Sequence, residues 1–158
     1  MHTNMVLLFA LGIGVVAGLR AMTAPAVVAW AGHLGWLDIF GTYFAFMGSK
    51  WAVLLFTIAA LGEFVNDQLP KTPARTSAGP LGARIVMGAL TGACVAVAGG
   101  ASLILGALLG AVGAVIGAFV GYNARVGLVK SLRVPDFAIA IPEDLVAIGL
   151  AVLLVRSH

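Results

Sequence analysis

Apolar residues run along this chain in long blocks, and five of them approach the length that a bilayer demands. They cover roughly residues 5–32, 51–66, 83–98, 102–122 and 137–155, against a requirement of about 20 apolar residues for each helical span. Only Gly99, Gly100 and Ala101 separate the third block from the fourth, which predicts a tight antiparallel hairpin. The pattern as a whole predicts an all-α fold, a polytopic transmembrane helical bundle of about five short spans forming one membrane domain over residues 1–158.

Two blocks carry interruptions. The first is too long for a plain span and contains GLRAMTAP, in which Thr23 can cap a new helix and Pro25 falls in its first turn. A break is predicted near 18–24. In the fifth block Pro142, Glu143 and Asp144 form a helix-start signature after five apolar residues, 137–141, which predicts a second discontinuity near 137–142. Backbone that leaves helical geometry inside hydrocarbon must be shielded by protein or line a watery cavity, because each unpaired amide costs several kcal/mol there. Broken helices at matching places in two halves of a chain are also a pointer to transporter binding sites.

Composition settles the solvent. With 61% of residues hydrophobic and only 9% charged, the chain has too few polar side chains to cover a water-soluble surface, for which about 25% charged residues are usual. The opening stretch lacks a basic leader, and its apolar character resumes directly after Arg20, so it reads as a first membrane helix rather than a cleaved signal. The net charge of +3 comes from Lys and Arg scattered between apolar blocks, without the basic or aromatic pattern of a nucleic-acid binder. These cations act as topology signals instead. Lys71, Arg75 and Arg84 fall in one connection and Arg125, Lys130 and Arg133 in another. Both connections are expected on the cytoplasmic side, with the N-terminus beside them and the Gly99 tip, the 34–50 loop and the C-terminus opposite. Trp30, Trp36, Tyr43 and Trp51 fit the interfacial belt of that opposite side.

Small residues recur at helical spacing. Gly106, Gly110, Gly113, Gly117 and Gly121 form a stripe on the fourth block, Gly88 and Gly92 on the third, and Gly14 and Gly18 on the first. In lipid such stripes let helix backbones approach closely. The expectation is packing within the chain, with a homodimer seam as the other use of part of the stripe.

Ionisable residues inside a bilayer cost at least ~2.5 kcal/mol each, so they are paired, hydrated or functional. Arg20, Glu63, Asp67 and Asp144 are the candidates, with Asn66 and Glu143 beside them. Glu63 and Asp67, four residues apart, share a helix face. Glu143 and Asp144 also suit the first turn of a helix, and Arg20 suits either an ion pair with Glu63 or Asp144 or direct contact with a ligand. Lys71, Thr72, Arg75 and Thr76 in the QLPKTPARTS loop, with Arg125 on the same face, form a combination able to hold a phosphate, a carboxylate or anionic lipid headgroups. Cys94 stands alone in an apolar run, which excludes an internal disulfide or cysteine metal cluster. No GxxxxGK[ST], HExxH or GxSxG motif is present, so neither an enzyme, a cofactor nor a metal is expected.

The segments GLRAMTAP (18–25), EFVNDQLPKTPART (63–76) and IPED (141–144), together with the small-residue hairpin, resemble a family of bacterial integral-membrane proteins grouped as domain of unknown function 4126. The resemblance spans most of the chain and implies a compact bacterial inner-membrane protein. It brings no activity or substrate. From the residues themselves, the leading expectation is a small transporter or channel-like permease. In it Glu63 and Asp144 bind a proton or cation, Arg20 is their counter-charge or an anion contact, and an unidentified small solute is the cargo. The alternatives are a lipid-binding or lipid-flipping protein and a structural subunit of a membrane complex.

Overall fold

The computed structural model describes residues 2–66 and 78–157. Over these residues the chain forms six α-helices: α1 Thr3–Leu19, α2 Thr23–His33, α3 Lys50–Asn66, α4 Ala78–Ala98, α5 Leu103–Leu132 and α6 Asp136–Arg156, with a 3-10 turn at Ala45–Gly48 before α3. Ala78–Ala98, Leu103–Leu132 and Ala138–Arg156 are long and apolar enough to cross a membrane, and Thr3–Leu19 is a shorter apolar helix. Large apolar side chains such as Leu55, Leu61, Ile104, Leu108, Leu145 and Leu153 are exposed around the outside. That surface is suited to hydrocarbon, and the fold is a membrane helical bundle.

Glycine determines how the centre packs. A Cβ built on Gly14 would lie 2.7 Å from the Cα of Gly110, and one on Gly18 would lie 2.8 Å from the Cα of Gly117. On the other side of α5, a Cβ on Gly92 would lie 2.8 Å from the Cα of Gly110, and one on Gly88 would lie 2.7 Å from the Cβ of Ala114. Contacts this short leave no room for any side chain, so α5 is clasped between α1 and α4 backbone to backbone. Lipid tails are as apolar as leucine, and close packing of this kind is what draws helices together in them.

The same contacts give the helix directions. α1 runs parallel to α5, since Gly14 meets Gly110 and Gly18 meets Gly117, whereas α4 is antiparallel to it. Between α4 and α5 the chain turns on Gly100 at φ +74; Ala101 N–H donates to Ala96 O and Gly100 N–H to Val97 O, a Schellman end that satisfies the last carbonyls of α4. α6 is antiparallel to α1: Arg20 pairs with Asp144, while Gly12 faces Leu154.

At Arg20 the chain leaves helical geometry (φ −144, ψ 110), in the stretch where a break was expected, and it also reverses. α2 returns alongside α6, so that Trp36, just beyond its end, lies under the Arg156 guanidinium at 5.4 Å. The first block is therefore a V of two helices, and α6 packs against both arms. Thr3 lies at the same end of the bundle as the α4–α5 turn and Arg156, opposite Lys130 and Arg133.

Two boundaries also differ from expectation. α6 begins at Asp136 and runs without interruption through Pro142, so there is no discontinuity at 137–142, and Glu143 and Asp144 are interior residues rather than a helix start. Pro142 removes one backbone donor from α6 without ending it. α5 continues ten residues past the expected end at 122, to Leu132, because its polar last turns remain good helix. The connection to α6 shrinks to residues 133–135.

Candidate functional site

The reversal at Arg20 leaves α2 without a cap of its own: its N-cap is Met22, which makes no side-chain cap bond, and its first turn holds no acid. The expected cap, Thr23, is instead the first helical residue. Orphan N–H groups at a helix start need acceptors, and here they come from another helix. Glu63, near the end of α3, accepts from Ala21 N–H at 2.9 Å through Oε1 and from Met22 N–H at 2.8 Å through Oε2. Glu63 also lies 3.5 Å from Arg84 Nη1 of α4.

Arg20 reaches the other way. Its Nε and Nη2 both point to Asp144 Oδ1 of α6, Nη1 donates to the backbone oxygen of Glu63 at 3.4 Å, and the guanidinium lies 5.7 Å from the centre of the Phe64 ring. Arg20 is 2% exposed, Asp144 3% and Arg84 5%, so these three charges depend on one another and on Glu63 for stability. Two cations and two anions from the α1–α2 turn, α3, α4 and α6 thus form a neutral cluster. Gly18, two residues before Arg20, packs on Gly117 of α5, which puts the cluster roughly 20 Å from the Leu103 end of the bundle at 1.5 Å per residue.

The structure brings together Arg20, Glu63 and Asp144. It places Glu143 on a different face of α6, where Oε2 lies 3.7 Å from Arg125 Nη1. Asn66 is the last residue of α3. Asp67, Lys71, Thr72, Arg75 and Thr76 lie outside the described residues. The member that sequence reasoning missed is Arg84, taken there as a loop cation. A signal was present, because Arg84 shares a helical face with Gly88, Thr91, Gly92 and Val95, all buried.

One side of the cluster opens to a groove of about 320 Å³ between α2, α3 and α6. Arg20 and Asp144 form its base, Thr23 and Thr57 contribute hydroxyls, and Trp30 and Phe64 contribute rings. The Trp30 indole donates to Thr57 Oγ1 at 2.9 Å and so ties α2 to α3 above the groove. Among the described residues no group of His, Cys, Asp or Glu is arranged to hold a metal ion.

A helical bundle with an apolar exterior and a buried, mutually compensating set of charges is a polytopic membrane protein with an intramembrane polar centre. Residues 7–157 match the family described as Domain of unknown function (DUF4126). The chain belongs to that family. No curated protein and no solved structure matches it.

Proposed function

We propose that the protein is a small proton-linked permease for an organic anion, acting in a bacterial inner membrane with its basic connections on the cytoplasmic side. The observation that carries this reading is the Arg20–Asp144 pair at the base of the groove between α2, α3 and α6. A buried guanidinium keeps its charge and needs one counter-charge at a time. In the resting arrangement Asp144 supplies it. When Asp144 takes a proton, Arg20 loses that partner and a carboxylate or similar anion in the groove replaces it. Proton and anion then enter together, and the pocket stays neutral throughout. Glu63 has a different role, holding the α1–α2 turn and Arg84 while the partner of Arg20 changes.

The site side follows from charge. Lys130 in the last turn of α5 and Arg133 just after it stand at the end of the bundle opposite Lys50 and Arg156, and cationic residues close to the ends of membrane helices are retained in the cytoplasm. Both termini then face away from it.

The test is a proteoliposome assay with a pH-sensitive dye inside and a panel of small carboxylates outside. Anion-dependent proton entry is expected for the natural chain. Asp144→Asn, permanently neutral, should abolish the proton coupling, and Arg20→Gln should abolish anion dependence. Proton entry that is unchanged in Asp144→Asn would remove this mechanism.

A further inference from the structure

Residues 34–49, between α2 and α3, hold five aromatic side chains and a single charged one, Asp38. One set of apolar residues points inward. Leu37, Ile39 and Met47 are fully buried, and Ile39 and Gly48 fill the space that a Cβ on Gly32, in the last turn of α2, would need. A second set points outward: Trp36, Phe40 and Phe46 are about half exposed and Tyr43 is 86% exposed. A loop bathed in water has no use for that second apolar face.

We infer that this segment lies flat in the headgroup–acyl boundary of one leaflet, with its outward rings in lipid. Height is the first argument. α1 has 17 residues and α2 has 11, so from the Arg20 turn α1 climbs about 24 Å and α2 only about 15 Å. α3 resumes at Lys50, about 20 Å above Glu63. The segment therefore begins and ends below the rim formed by Thr3 and the α4–α5 turn. Lipid reaches above its start. Gly12 faces Leu154 and Gly14 meets Gly110, which sets Leu8 and Ile104 slightly farther out than Arg156, the residue over Trp36. Leu8 is 64% exposed and Ile104 68%; side chains as apolar and open as these have hydrocarbon beside them.

The backbone is the second argument, because irregular chain at this depth needs internal hydrogen-bond partners. Trp36 and Leu37 N–H both donate to Ala31 O, Met47 N–H to Phe44 O and Ser49 N–H to Phe46 O. Thr42 Oγ1 donates to Ile39 O at 2.6 Å and accepts from Phe44 N–H at 3.2 Å. Ser49 Oγ accepts from Ala52 N–H at the start of α3. Trp36 and Tyr43 are the amphipathic rings enriched where chains meet headgroups. The inference depends neither on transport nor on which side of the membrane the segment faces.

The test places single spin-labelled cysteines in the full-length protein, in a Cys94→Ala background and in vesicles of phosphatidylethanolamine and phosphatidylglycerol. Tyr43→Cys and Phe46→Cys report on the segment and leave its buried residues untouched. Ser102→Cys, at the α4–α5 turn, is the aqueous reference, and Leu55→Cys, on the exposed face of α3, is the lipid reference. Collision with oxygen, which concentrates in hydrocarbon, is compared with collision with a water-soluble nickel chelate. At 43 and 46 the ratio of oxygen to nickel collision is expected to be several-fold above that at Ser102 and close to that at Leu55. A nickel-dominated ratio matching Ser102 would make the segment an aqueous loop, and scarce collision with either reagent would mean that protein covers it. Each of those results overturns the inference.

Discussion

The carboxylate of Glu63 accepts the Met22 N–H at 2.8 Å and the Ala21 N–H at 2.9 Å, so α3 holds the turn that leads into α2. Replacing Glu63 with Ala leaves two part-buried donors without that acceptor and takes the carboxylate away from Arg84. Each abandoned donor costs about 1–3 kcal/mol. Glu63→Gln keeps one acceptor oxygen and should lose about half as much. Thermal unfolding in detergent, followed by tryptophan fluorescence, is expected to rank the natural chain above Gln and Gln above Ala; equal midpoints would mean that this carboxylate is not what holds the turn.

The location of that turn was legible from GLRAMTAP, but its direction was not. Apolar length reports that a helix stops and starts again without reporting whether the next piece continues or doubles back. That information lies in Gly12 facing Leu154 and Arg20 meeting Asp144, contacts between residues more than 100 positions apart. At the other end of the chain a correct local signal misled. Pro142-Glu143-Asp144 is good helix-start chemistry, yet the helix had already begun at Asp136, and its packing against α1 and α2 carries it across the proline. Arg20, Glu63 and Asp144 stood out because charge is costly in lipid. Arg84 did not, since a cation next to a loop has an ordinary explanation and its partner, Glu63, lies on another helix.

Arg20 and Asp144 are a test of interdependence. Removing either one leaves an uncompensated buried charge, at an expected cost of about 3–5 kcal/mol. Removing both, as Arg20→Met with Asp144→Leu, takes away the charge and its partner together and should return stability to within about 1–2 kcal/mol of the natural chain. The same double variant should carry no proton-linked flux. A double variant as unstable as the worse single one would show that the two residues do not act as a pair.

Glycine positions separate into two sets with opposite expectations. A Cβ on Gly117 would meet Val15 C at 3.0 Å and Gly18 Cα at 3.1 Å, both backbone atoms that cannot step aside, whereas Gly127 and Gly149 have nothing within 4 Å. Gly117→Leu should therefore push α5 off α1 and prevent recovery of folded protein. Gly149→Ala meets open space inside a helix and should gain up to about 1 kcal/mol from propensity alone. Gel-filtration profiles and melting curves of the two variants check both directions, and a well-folded Gly117→Leu protein would contradict the backbone contact.

The parallel run of α1 and α5 makes membrane sidedness a direct test of the fold. With α1 antiparallel to α2 and to α6, residues near both termini emerge on the face that carries the α4–α5 turn, and Lys130 emerges on the other. In a Cys94→Ala background, single cysteines at His2, Ser102, Ser157 and Lys130 can be challenged with a membrane-impermeant maleimide in intact cells. The first three are expected to label and the fourth to label only after lysis, since cationic connections stay in the cytoplasm. An inverted insertion would exchange the two groups but keep His2 with Ser157. Only a pattern that splits His2 from Ser102 and Ser157 would contradict the helical V at Arg20, because a first block crossing in a single direction is the one arrangement that puts the two ends of the chain on different sides.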